Sequence, residues 1–336
     1  GVIGTGMMGV EHIENIRVLD HAVVTAVADT NTHSREAGRA AAGDEVASFV
    51  DHRDLLASGL CDAVVVATPN HTHIDVVADV LRTDLPALVE KPLATTVADC
   101  ERLLTLGAER EAITWMAMEY RYMAAAAELI RLVHDGTVGT PRMVAMREHR
   151  FPFLDKVGHW NRFSVNTGGT LVEKTCHFFD LMNVILRERP SRVMASGAQD
   201  VNHLDERYDG RAPDLLDNAF VIVDYPSGAR ALLDLCMFAD ATRDQEELSV
   251  VGELGKVEAL IPSNTVRVGR RGEHWIGSVD EYVVHDDAVR HVGLHHGSSY
   301  IEHLRFAAAV RAGGRAEVTL EDGYWAVTAG VAAHRS

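Results

Sequence analysis

Apolar residues fall in two rhythms along this chain. In the first third, short β-branched runs recur, and each is followed by a stretch with helical spacing. Residues 22–29 (AVVTAVAD), 62–69 (DAVVVATP), 86–92 (PALVEKP) and 112–119 (AITWMAME) predict strands. HIDVVADVLR and TVADCERLLTLGAER, between them, predict helices. Runs without strict alternation suit strands covered on both faces, and their alternation with helices implies βαβ units and a parallel sheet. Beyond residue 140 the rhythm changes to paired strands, as in NAFVIVDYPSGARALLDLCMF, where PSG is the turn of a hairpin.

One stretch departs from both rhythms. TGGTLVEKTCHFFDLMNVI, residues 167–185, predicts a single helix opened by two glycines and apolar around most of its surface. Glu173, His177 and Asp180 recur at i, i+4 and i+7, which places them on one stripe of that helix. A buried helix tolerates such a stripe if it faces a polar cavity. Lys174 projects about 100° away from Glu173 and is not required to face the same space.

Composition narrows the class. The chain has 336 residues, 47% hydrophobic and 24% charged, as expected for two globular domains. With 49 acidic against 32 basic residues the net charge is −17, which argues against nucleic acid as a partner. The four cysteines are scattered, with no Cys-x-x-Cys pair, and no apolar run is long enough to span a membrane. A cytoplasmic setting, without membrane attachment, is the expectation. The chain opens on residues that already read as strand, so a few residues are expected to precede it.

The first turn carries the clearest chemistry. Gly4, Gly6 and Gly9 form G-x-G-x-x-G between a strand and a helix. The first glycine permits the tight turn, the second lets the backbone approach a pyrophosphate, and the third lets helix and strand pack closely. With Met7 and Met8 they begin a helix whose N-terminus favours an anion. Asp29 follows about 20 residues after Gly9, where a carboxylate bonds a ribose 2′-hydroxyl. It repels a 2′-phosphate, and Arg35 is the nearest arginine downstream, so NAD is expected over NADP.

GTGMMG, Asp29, ATPNHTH (residues 67–73), EKPL (90–93) and GGTLVEKTCHFFD (168–180) together resemble the glucose–fructose oxidoreductase/inositol dehydrogenase (Gfo/Idh/MocA) family. DGTVGTPR (135–142), GELGKVEA (252–259) and the C-terminal LEDGYWAVTAGVAAHRS are also similar to its members. The resemblance spans essentially the whole chain. It implies an α/β protein: a Rossmann NAD-binding domain over residues 1–121, then a substrate and oligomerisation domain over 122–336. The second has a large, open, mostly antiparallel sheet, and the last helix is expected to return to pack on the first domain. A homodimer or homotetramer is implied as well.

The resemblance also implies roles. Thr68, Pro69, Asn70, His73, Glu90 and Lys91 fall near the nicotinamide half of the cofactor, and Lys91 lies beside the substrate. His177 matches the family histidine that contacts a sugar hydroxyl. Glu173 stands where many relatives carry aspartate, one methylene longer. Oxidation of a secondary alcohol sends a hydride to NAD, so the protein must take a proton and steady the alkoxide. His177 suits the first task, Lys91 the second, and a lysine also acts as base if burial lowers its pKa. Glu173 completes the catalytic set. Asp180 is expected to orient His177 or bind hydroxyls.

The segment REHRFPFLDKVGHWNRF (147–163) gathers Arg150, Lys156, Trp160 and Arg162, and with Tyr120 these are expected to line the sugar pocket. The cations admit an anionic sugar derivative. No metal site is expected, and His291, His295 and His296 are expected on a surface loop. The overall expectation is an NAD-dependent oxidoreductase of a small-molecule sugar or polyol. Two alternatives use the same parts: an NAD-dependent glycoside hydrolase working through a transient keto-sugar, and a non-catalytic cofactor-sensing regulator.

Overall fold

The computed structural model describes residues 1–43, 45–272 and 275–336. The first sheet has six parallel strands in the order β3-β2-β1-β4-β5-β6. They are β1 (Val2–Ile3), β2 (Ala26–Ala28), β3 (Ala47–Phe49), β4 (Val64–Val66), β5 (Ala87–Glu90) and β6 (Thr114–Ala117). Val2 pairs with Val27 on one side and Val65 on the other, so the order reverses at β1. The inner strands are buried on both faces, as their unbroken apolar runs require. Strand β3 escaped the sequence pattern; it is a three-residue strand at the sheet edge, too short and too exposed to show a period.

The second sheet has eight strands: β7 (Pro141–His149), β8 (Arg192–Ala198), β9 (Asn218–Asp224), β10 (Arg230–Cys236), β11 (Glu246–Gly252), β12 (Gly255–Ile261), β13 (Thr265–Arg270) and β14 (Asp280–Val283). Their order is β14-β13-β12-β11-β7-β10-β9-β8, and only β7 and β10 run parallel. The expected hairpin is β9–β10, closed where Gly228 takes a positive φ of 84°. Strict alternation now appears. Val221, Val223, Leu233 and Leu235 point into the core, while Phe220, Ile222 and Leu232 lie on the open face. Met194, Ile222 and Leu232 stand in register across three strands there.

Two helices from the end of the chain return to the first domain. Ser298–Ala312 packs on the first helix, Met7–Arg17. Leu320–Arg335, begun by a Thr319–Asp322 capping box, packs on Val97–Gly107 of the first domain and on Cys176–Leu186 of the second.

The predicted helix over 167–185 is corrected. The chain forms three pieces, Ser164–Thr167, Thr170–Glu173 and Cys176–Leu186. Gly168 and Gly169 both take positive φ (82° and 86°), which breaks the first from the second. Lys174 and Thr175 form the joint between the second and third. The stripe of Glu173, His177 and Asp180 therefore spans that joint, and the three side chains enter different surroundings.

Candidate active site

The glycine turn is built for a close neighbour. A Cβ on Gly4 would lie 2.6 Å from the backbone of Ala67, and one on Gly9 would lie 2.0 Å from the Gly4 carbonyl oxygen. These two glycines hold the helix Met7–Arg17 hard against the sheet. A Cβ on Gly6 would meet no protein atom within 4 Å, because it points into a cavity. No side chain caps this helix, so its first amides are free to face an anion. Asp29 ends β2 at the cavity edge. Its carboxylate accepts hydrogen bonds from the Thr5 and Asn31 amides, both 2.8 Å. Tight turn, free helix end and fixed carboxylate suit a dinucleotide.

The cavity encloses about 480 Å³. Gly6, Met7, Met8, Asp29, Thr68, Pro69, Asn70, Glu90 and Lys91 line it from the first domain, and Lys156, Trp160 and Glu173 from the second. Lys91 Nζ donates to the Glu173 carbonyl oxygen at 3.1 Å. Asn70 Nδ2 donates to the Glu173 carboxylate, and Lys156 Nζ lies 3.8 Å from it. Lys156 also sits over the Trp160 ring, 4.9 Å from its centre. Three expected residues from separate stretches of sequence thus converge on Glu173.

Burial works against the Lys91 ammonium, but Glu173, Glu90 and Glu119 outweigh it and hold its pKa above the ordinary lysine value. Lys91 is therefore a charged hydrogen-bond donor rather than a base lowered by burial. Glu90 remains ionised: burial opposes its charge, but a hydrogen bond from His12 at 2.9 Å and nearby Lys91 bring its pKa down to about 2.

His177 lies one layer behind the cavity lining and is 1% exposed. Its ring stacks on Tyr120, 4.1 Å between centres and 6° from parallel. Nε2 is 3.5 Å from Glu119 Oε1, and Nδ1 has no partner. Burial first, then the charges of Lys91 and Lys174, push its pKa well below the usual histidine value, so the ring is neutral.

Other expected residues stand away from the cavity. Asp180 makes a two-pronged ion pair with Arg121, with Nε to Oδ2 at 2.6 Å and Nη2 to Oδ1 at 2.5 Å. Arg150 pairs with Glu148 and Arg162 with Glu206. Tyr120 accepts a bond from Lys174 Nζ at 2.7 Å, and the same ammonium lies 2.8 Å from Glu148. His73 is fully buried, its ring nitrogens at the carbonyl oxygens of Pro92 and Thr68, while His71 faces the cavity against the edge of Trp160. These corrections share a cause: a long polar side chain in a closed interior takes the nearest partner able to compensate its desolvation.

Sequence reasoning missed Glu119 and misplaced His295. His295 lies 3.6 Å from Glu119 and 3.3 Å from Glu11 rather than on a surface loop. Only a contact between distant segments distinguishes it from the neighbouring loop histidines. Among the described residues no helix is long and apolar enough to cross a membrane, and no three His, Cys, Asp or Glu side chains cluster to hold a metal.

Family models match both halves of the chain. Residues 1–118 match the "NAD-binding Rossmann fold" of the Gfo/Idh/MocA oxidoreductase family, and residues 130–336 match its "C-terminal alpha/beta domain". The chain belongs to this family. It is 29% identical to the myo-inositol 2-dehydrogenase of Thermotoga maritima, covering 100% of this chain and 95% of the relative. It is 30% identical to inositol 2-dehydrogenase 1 of Saccharopolyspora erythraea over 79% of this chain and 75% of that one. In fold it is similar to a levoglucosan dehydrogenase solved with NADH and levoglucosan (TM-score 0.86, 18% identity, 100% and 96% of the chains covered). It is likewise similar to an oxidoreductase domain protein from Kribbella flavida (TM-score 0.87, 22% identity, 100% and 95% covered). Family and fold together make the chain an oxidoreductase with a nicotinamide cofactor.

Proposed function

We propose that this oxidoreductase uses NAD to oxidise a secondary hydroxyl of a neutral sugar or polyol. The observation that carries the reading is the convergence of Lys91, Asn70 and Lys156 on Glu173 in a cavity shared with the glycine turn. Bound NAD would accept the hydride. The protein's own groups do the rest. The Lys91 ammonium donates to the reacting oxygen and stabilises its developing charge. Glu173 accepts from a neighbouring hydroxyl and orients the ring. His177, neutral and behind the lining, takes the hydroxyl proton through one bridging water. Its Nδ1, buried and without a partner in the protein, supports that role.

Two observations refine the reading. The charged groups lining the cavity are Lys91 and Lys156 against Asp29, Glu90, Asp155 and Glu173, and both candidate arginines are paired elsewhere. That balance disfavours an anionic substrate. Arg35 is engaged by the Asp29 carbonyl oxygen at 2.7 Å, and the Asp29 carboxylate would repel a 2′-phosphate. NAD is therefore favoured over NADP. The apolar open face of the second sheet is also our candidate surface for a homo-oligomer.

The test is a spectrophotometric screen with NAD and NADP over inositols, neutral aldoses, sugar acids and glycosides. The reading expects NADH to form in step with oxidation of a neutral polyol or sugar. Release of sugar from a glycoside without net NADH would replace it with a redox-neutral hydrolase. Cofactor binding without turnover on any substrate would replace it with a regulator.

A further inference from the structure

His177 presents a problem of proton disposal. It is enclosed, and Lys91, Lys174, His295 and Arg150 all set positive charge against its protonated form, so it cannot store a proton. A base of this kind works only if the proton moves on. Glu119 faces Nε2, while Nδ1 is without a partner. In that arrangement the neutral ring carries its proton on Nε2 and presents Nδ1 as the acceptor.

Beyond Glu119 the path continues. His295 Nε2 is 3.6 Å from the same Glu119 oxygen, and Nδ1 is 3.3 Å from Glu11 Oε1. The Leu294 amide fixes that Glu11 oxygen at 3.0 Å. Glu11 lines a second cavity of about 450 Å³, together with Glu14 and His291. Glu119 and Glu11 together raise the His295 pKa against the effect of burial, which suits a group that gains and loses protons. Contacts slightly longer than hydrogen bonds are common in enzymes without ligand and shorten in the complex. Helix Met7–Arg17 thus supplies both the amides of the glycine turn and the last carboxylate of this path.

Resting on the function proposed above, we propose that Glu119, His295 and Glu11 form a proton-exit relay from His177 to the second cavity. The balance closes. The hydroxyl loses a hydride to NAD and a proton to His177 Nδ1, leaving the ketone. The His295 imidazolium first gives its Nδ1 proton to Glu11 and on to water, and the neutral ring turns its bare nitrogen to Glu119. The His177 Nε2 proton passes to Glu119 and from there to that nitrogen, which restores the imidazolium, and the His177 ring then resets its tautomer. Glu119, His295 and Glu11 do not line the first cavity, so they are relay and positioning residues rather than catalytic ones.

The test compares wild type with His295→Gln and Glu119→Gln. In His295→Gln, steady-state kcat is expected to fall by about 10²-fold while KM and NADH binding hold, and added imidazole should restore it. The first turnover should still yield a burst of NADH, because Glu119 remains beside His177 Nε2 and can accept one proton. Loss of the burst, or no rescue by imidazole, would overturn the relay. A second measurement needs no turnover. Nitrogen NMR of the NADH-bound protein should find His177 neutral with its proton on Nε2, and should find that preference lost in Glu119→Gln. An Nδ1–H tautomer in wild type would sink the relay even if the dehydrogenase reading stood. Failure of every substrate with the expected tautomer present would sink that reading and leave the arrangement intact.

Discussion

The two walls of the cavity are made differently. The nucleotide wall is mostly backbone: a glycine turn, a free helix end and a carboxylate fixed by two amides. The facing wall, with the layer behind it, is mostly charged side chains whose partners come from far along the chain. Glu173 meets Asn70, Asp180 meets Arg121, and Lys174 meets Glu148. The first wall tolerates little change in shape, and the second tolerates little change in charge.

The sharpest way to break this comparison crosses the cavity. Lys91→Met should lower kcat by about 10³-fold or more while NADH binding, read by fluorescence titration, persists. If NADH binding is lost instead, Lys91 belongs to the nucleotide wall alone.

Next in size is Asp180→Ala. It leaves the buried Arg121 with only the longer contact to Asp322 at 3.6 Å and should destabilise the protein by about 3 kcal/mol in urea titration. KM should scarcely move in the fraction that stays folded. A large KM effect with unchanged stability would return Asp180 to the substrate.

The carboxylate cluster behind the second wall predicts a pH signature. Burial, with Glu148 beside it, pushes the Glu246 carboxyl up from 4.5 to about 7. The folded chain therefore holds this proton in a window where the unfolded chain has released it. The stabilisation is full below pH 4.5 and is lost as pH rises through about 7. Glu246→Gln stays neutral throughout. Relative to wild type it should gain up to about 3 kcal/mol between pH 4 and pH 8, read from chemical denaturation at each pH.

The smallest expected effect sharpens the first wall. Asp29→Ala should weaken NADH binding about tenfold and narrow the preference over NADPH, since it removes a hydrogen bond to a charged group. Unchanged discrimination between the two cofactors would place the selectivity elsewhere.

Much of the fold could be read from the residues. The strand–helix alternation located β2, β4, β5 and β6, and the hairpin turn located β9 and β10. The short edge strand β3 could not, because a three-residue strand shows no period. Gly4, Gly6, Gly9 and Asp29 were legible because their requirement is local. The stripe of Glu173, His177 and Asp180 misled because a helical wheel assumes an unbroken helix, and Lys174–Thr175 breaks it. Glu119 and His295 carried no signal at all, since nothing in either neighbourhood announces the other.

The sequence by itself determined the glycine turn, the acid at the end of the second strand and the change from strand–helix alternation to paired strands, while the large second sheet and the lysine that enters the cavity were implied by the resemblance to the family. Steric limits on backbone angles and the spacing of apolar residues act over a few positions, so they are written locally. Only the tertiary structure decided which charges face the cavity and which neutralise one another in the interior. A buried charge must find compensation within a few ångströms, and that partner is chosen by the folded chain rather than by sequence neighbours.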